Sequence, residues 1–155
     1  MKIIAAADDD FGIGKDGDIP WNVPGDFQFF KAMTYGSTLI VGRKTYENIG
    51  GLSGRDFIVL SESREGEEYV DSFNEAYWRY QTLQSEEVWV AGGQSIYENY
   101  VGIADSIFLS RIPGTYDCDT FFPEEKLDQY YDPVAKIPAE GFDVIRYTKT
   151  ESKNT

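Results

Sequence analysis

Short, almost wholly apolar runs punctuate the chain at residues 2–7, 38–42, 57–60, 87–91 and 106–111. Runs of this length predict strands covered on both faces, as in a parallel sheet. Between them the period lengthens. Pro24 suits a first helical position, and Phe27, Phe30 and Met33 follow at intervals of three, along one side of a helix. A short helical pattern occupies 44–49. Another begins at Ser72 with Glu75 three residues on, the spacing of a capping box, and a fourth follows Gly92-Gly93 with Ile96, Tyr97, Tyr100 and Val101 as its apolar positions. Strands alternating with helices predict an α/β fold with a mainly parallel central sheet, flanked by about four helices. The last third reads differently: Tyr130, Tyr131, Pro133 and Pro138 lead into an extended stretch at 141–149, which predicts an antiparallel C-terminal hairpin at the sheet edge. We expect one domain over residues 1–150 and a frayed polar tail over 151–155.

Composition narrows the class. A chain of 155 residues with 41% hydrophobic content suits a single packed core and not a disordered chain. Its 27 acids against 14 bases give a net charge of −13, which repels a polyphosphate backbone and makes nucleic acid a poor partner. The opening apolar run meets Asp8, Asp9 and Asp10 too soon for a signal segment or a membrane span. A single cysteine, Cys118, has no intrachain disulfide partner. Together these features predict a cytoplasmic, monomeric protein without a membrane partner. Histidine is absent, which removes imidazole-based nucleophile schemes and the usual zinc and iron sites, so no metal is expected.

Candidate chemistry lies in three places. Gly42-Arg43-Lys44-Thr45 and Ala91-Gly92-Gly93-Gln94-Ser95 both read as strand-to-helix turns, where free backbone N–H groups favour phosphate. Either one alone is more often only a tight turn; two in one short α/β chain, the first carrying Arg and Lys, point toward a dinucleotide. Neither matches the Walker or G-x-G-x-x-G pattern. Residues 12–25 are rich in Gly and Asp yet contain Ile19-Pro20-Trp21-Asn22-Val23-Pro24, which predicts a mostly irregular lid that packs on something. Trp21 by itself reads more readily as core filling. Asp26 follows in a first helical turn, where an acid commonly offsets the helix dipole, but Phe27, Phe29 and Phe30 surround it in sequence. A carboxyl in an apolar pocket has its pKa raised and can act as, or near, a proton source.

The run from Ile19 through Lys31, then Thr34, then Gly42-Arg43-Lys44-Thr45-Tyr46-Glu47, resembles the signature of the dihydrofolate reductases. Leu52-Ser53-Gly54-Arg55, Ile58-Val59-Leu60-Ser61, Ala91-Gly92-Gly93 with Ile96-Tyr97, and Asp119-Thr120-Phe121-Phe122-Pro123 continue the likeness in order. The resemblance implies NADPH-dependent reduction of dihydrofolate to tetrahydrofolate, in support of one-carbon metabolism and thymidylate synthesis, and binding of antifolates such as methotrexate or trimethoprim. It implies that Asp26, with Trp21 and Ser110, promotes protonation at pterin N5. Ile4, Ala6, Phe27, Phe30, Ile49, Leu52 and Ala91 would line the substrate pocket, and Arg55 would pair with the α-carboxylate of the glutamate tail. Ala5, Ile13, Gly14, Gly42, Arg43, Lys44, Thr45, Ser61, Arg64, Gly92, Gly93, Gln94, Ile96 and Tyr97 would contact the dinucleotide, and Asp119 would steady the lid near Gly14.

The chain departs from the family pattern at Glu62, where an acid follows the Leu-Ser pair, and at Ser95. Between Gly50 and Arg55 it reads one residue shorter than many relatives. Two alternatives share the scaffold: a pyrimidine reductase of riboflavin synthesis, against which Trp21, Asp26 and Arg55 argue, and a non-catalytic binding module.

Overall fold

The computed structural model describes residues 1–49, 52–83 and 87–150. Among these residues six strands run parallel: β1 (Lys2–Ala7), β3 (Thr38–Gly42), β4 (Asp56–Leu60), β5 (Tyr69–Val70), β6 (Val88–Val90) and β7 (Ser106–Arg111). The antiparallel pair β10 (Phe142–Lys149) and β9 (Tyr131–Ala139) extends the sheet, giving the spatial order β5-β4-β3-β6-β1-β7-β10-β9. A separate two-stranded ladder joins β2 (Gly12–Gly14) to β8 (Thr120–Phe121).

The expected strands and C-terminal hairpin are present, and the apolar runs explain them. In β3, Thr38, Leu39, Ile40 and Val41 are all buried, because helices cover both faces of a central parallel strand. Alternation along β1 divides the core: Ile3, Ala5 and Ala7 pack on the side of Ala76, Ile96 and Leu127, whereas Ile4 packs with Leu39, Val41 and Trp89 on the other. The hairpin turns at Gly141, whose φ of +87° explains the glycine. Pro133 and Pro138 both fall in the outermost strand β9, where a missing N–H costs the sheet least.

Among the described residues five helices flank the sheet, one more than about four: α1 (Pro24–Thr34), α2 (Arg43–Ile49), α3 (Phe73–Gln81), α4 (Gln94–Tyr100) and α5 (Glu124–Tyr130). The unforeseen α5 is short and buries only Leu127 along its length, so it leaves little periodicity to read. The cap expected at Ser72 forms, with its Oγ accepting the Glu75 N–H at 3.1 Å, although Glu75 reaches back to the Asp71 N–H at 3.5 Å and not to that of Ser72. No helix among the described residues is long and apolar enough to cross a membrane. The expected frayed tail lies outside the described residues.

Candidate active site

Two cavities open at the carboxyl ends of the parallel strands, the usual place for ligands in an open α/β sheet. The smaller, about 360 Å³, is walled by Ile4, Ala5 and Ala6 of β1, by Trp21, Asp26, Phe27, Phe29 and Phe30 at and within α1, by Thr45 and Ile49 of α2, and by Ala91 and Tyr97. Phe27 and Phe30 stack nearly parallel with centroids 6.2 Å apart, a consequence of their i,i+3 spacing on α1. Tyr97 donates its hydroxyl to the Ile4 carbonyl at 2.8 Å, and burial, with the nearby Asp26 charge, raises its phenol pKa.

Asp26 is the carboxylate set into this apolar wall. Burial pushes its pKa above the ordinary carboxylate value, while hydrogen bonds from the Ser110 hydroxyl and the Trp21 side chain pull it back. Ser110 itself is 1% exposed and is not a wall of the pocket. It sits on β7 opposite Ala6 of β1, so the sheet register places its hydroxyl beneath the carboxylate. Trp21 packs with Ile112, Phe142 and Val144 and meets Tyr116 edge-on at 5.6 Å, so it serves both the core and the pocket.

The larger cavity is a groove of about 990 Å³. Ile13 and Gly14 of the lid, Gly42 at the end of β3, Arg43, Lys44 and Thr45 of α2, Ser61 after β4, and Gly93, Gln94 and Ile96 around the start of α4 all lie in its walls. Gly42 and Gly93 lie in its walls, where an added Cβ would make only ordinary contacts, at 3.5 Å to Ile96 and 3.7 Å to Thr45. The peptide between Gly92 and Gly93 is cis, and the Gly92 carbonyl accepts the Gly42 N–H at 2.8 Å. Asp18, Ile19 and Thr45 line both cavities, so the groove and the pocket share a wall.

Some of the expected contact residues stand elsewhere. Ala5 and Tyr97 border the smaller pocket and not the groove, and Gly92 and Arg64 are walls of neither. Arg64 points its guanidinium toward Glu47 at 3.8 Å. Leu52 and Arg55 also lie outside the pocket walls. Arg55 is held at the C-terminal end of α1 by Thr34 Oγ1 at 2.9 Å, the Ser53 carbonyl at 2.6 Å and the Lys31 carbonyl at 2.5 Å. Residues not foreseen include Asn48, whose side-chain amide donates to the Gly17 carbonyl at 2.7 Å and so ties α2 to the lid, and Asp71, Ser72 and Phe73 at the far end of the groove. A hydrogen bond to a main-chain carbonyl in a distant loop leaves no signature in residue spacing.

The lid is anchored at its base by Asp8, which is 1% exposed. Its Oδ1 accepts the N–H groups of Asp10 at 2.9 Å and Gly12 at 2.8 Å, and its Oδ2 accepts that of Tyr116 at 3.0 Å and lies 3.6 Å from the Cys118 thiol. Asp119 adds a second tie through the Asp16 N–H, and the Asp119 N–H donates to the Gly14 carbonyl at 2.9 Å.

A long groove carrying Arg43, Lys44 and glycines in its walls, joined to an apolar pocket holding one buried acid, defines an α/β enzyme with adjoining room for two ligands. The family model for dihydrofolate reductase matches residues 1–141. The chain belongs to the dihydrofolate reductase family. It is 31% identical to dihydrofolate reductase HdrB of Haloferax volcanii over 96% of this chain and 83% of that one. It is 37% identical to the dihydrofolate reductase of Haemophilus influenzae over 76% of this chain and 75% of the relative. Among solved structures it resembles dihydrofolate reductase from Enterococcus faecalis, complexed with NADP(H) and RAB-propyl, with a TM-score of 0.84, 30% identity and coverage of 97% and 96% of the two chains.

Proposed function

We propose that this chain catalyses the NADPH-dependent reduction of 7,8-dihydrofolate to 5,6,7,8-tetrahydrofolate. The observation that carries the reading is the shared wall at Asp18, Ile19 and Thr45, where a ligand in the groove and a ligand in the pocket come into contact, with Asp26 buried beside it. The Gly42 and Gly93 backbone and the Arg43 and Lys44 side chains in the groove wall fit a dinucleotide polyphosphate. Bound in the groove, NADPH supplies a hydride, the hard part of the chemistry.

The protein's own residues supply the rest. Ile4, Ala6, Phe27, Phe30, Ile49 and Ala91 enclose the pterin and benzoyl rings in an apolar slot, and Trp21 excludes bulk water from its inner end. Asp26, oriented by Ser110 and Trp21, hydrogen-bonds the pterin and favours its protonated form at N5. A raised pKa keeps that carboxyl closer to working pH than a solvated acid would be. Arg55, already fixed by Thr34, Ser53 and Lys31, presents its guanidinium to the glutamate tail. Antifolates occupy the same slot. The net charge of −13 and the single cysteine support a monomer working in the reducing cytoplasm without nucleic-acid partners.

The test is the loss of NADPH absorbance on adding dihydrofolate to the purified protein. Rapid loss that methotrexate stops is the expected result. A folded protein that binds NADPH and shows no loss refutes the reading.

A further inference from the structure

The far end of the groove is less cationic than Arg43 and Lys44 first suggest. If one end of a dinucleotide reaches the wall shared with the pocket, the adenosine half lies at the other end, between the exit of β4 and the start of α3. The walls there are Leu60, Ser61, Glu62, Asp71 and Ser72. The guanidinium of Arg43 is engaged by Glu47, at 2.7 and 3.1 Å to its two oxygens, and Arg64 approaches the same carboxylate at 3.8 Å. Glu47 is therefore shared by two of the three cations in this region, and its single charge together with those of Glu62 and Asp71 balances all three. Glu62 has no ion pair among the described residues, so its exposed carboxylate stands in the groove wall without a bonded cation.

A 2′-phosphate carries about −1.5 to −2 charges near neutral pH and is repelled by a carboxylate in the same wall. A free ribose 2′-hydroxyl is a hydrogen-bond donor, and a carboxylate accepts it; this is the arrangement by which acidic residues in dinucleotide sites favour the unphosphorylated cofactor. We propose that Glu62 is a specificity-determining residue that makes the groove accept NADH alongside NADPH, by receiving the ribose 2′-hydroxyl and opposing the 2′-phosphate. The proposal rests on the reductase reading only for the direction in which the dinucleotide lies.

Direct binding separates the two. The dissociation constants of NADPH, NADH, adenosine 2′,5′-bisphosphate and adenosine 5′-monophosphate are measured by titration calorimetry on the full chain, for the parent, Glu62→Gln and Glu62→Ser. The parent should bind NADPH and NADH within about tenfold of each other, and Glu62→Ser should raise the preference for the phosphorylated member of each pair by at least about tenfold, with Glu62→Gln shifted the same way. Added salt should lower the NADPH preference of Glu62→Ser more than that of the parent, because the attraction of Lys44 and Arg43 for the phosphate is screened in both and a repulsion is screened only in the parent. A parent preference for NADPH beyond about tenfold, or a ratio that Glu62→Ser leaves in place, overturns the proposal. A protein that reduces dihydrofolate with NADPH yet shows either result loses only the role of Glu62. A protein whose binding ratios shift as stated while neither dinucleotide supports reduction loses only the reductase reading.

Discussion

Asp119 Oδ2 accepts the backbone N–H of Asp16 at 2.9 Å, joining two loops that lie 103 residues apart in the chain. The bond is exposed, so it contributes little to global stability, yet it holds the lid segment that walls both cavities. Asp119→Ala should lower the rate of dihydrofolate reduction about tenfold, equivalent to ~1.4 kcal/mol, with almost no change in melting temperature. Initial rates and a thermal melt on the same preparation check it. A fall in both together would make Asp119 a stability residue.

Asp26 binds its proton more tightly in the folded protein than at the ordinary value of 3.8. Between that value and the higher folded one the native state holds the extra proton. The associated stability is therefore complete below the window and is lost as pH rises through it. Asp26→Asn removes this penalty. The variant should melt above the parent at about pH 7, with the difference closing as pH falls toward about 4, while turnover drops by about a hundredfold or more. The pH dependence of turnover through the raised pKa should also disappear. Melts across pH and rate profiles test both halves.

Arg55 is fixed by one hydroxyl and two carbonyls before any ligand arrives. Replacement by Leu should raise the KM for dihydrofolate by about ten- to a hundredfold through loss of a charge-assisted pair, and leave affinity for a pterin lacking the glutamate tail almost unaltered. Equal losses for both ligands would place the effect in the fold of the 52–55 turn instead.

Asp8 satisfies three backbone N–H groups from a buried position. Asp8→Ala strands those donors and should cost about 2–4 kcal/mol in urea unfolding. Asp8→Asn, which keeps an acceptor oxygen, should cost less. Equal midpoints for the parent and the Ala variant would show that water replaces the carboxylate.

Gly12 faces Cys118 so closely that an added Cβ would collide with the cysteine's Cβ and Sγ. Gly12→Ala should destabilise the protein by about 1–3 kcal/mol, and Cys118→Gly in the same chain should restore much of the loss. A double-mutant cycle with no coupling would mean that the lid base moves aside freely.

The strands were legible because a buried parallel strand is apolar without interruption, as 38–42 shows, and the hairpin was legible from its extended final segment and Gly141. The pairs β2 with β8 and β4 with β5 were not, since two- and three-residue ladders depend on where distant loops meet. In the site, Trp21, Asp26 and the glycine turns stood out by residue type, although type alone also allowed core filling and a helix-end acid. The position of Ser110 beneath Asp26 follows from strand register, and the engagement of Arg43 and Arg64 by Glu47 from side-chain geometry. Neither quantity is a property of spacing along the chain.

The two margins of the main sheet are unequal, one a pair of residues and the other the nine of β9. A nine-residue margin would ordinarily be a template on which further chains could add. Pro133 and Pro138 offer no N–H, and Lys136 sets a charge between them. An incoming strand would meet a ladder with missing rungs, which makes this margin a poor template for a further chain.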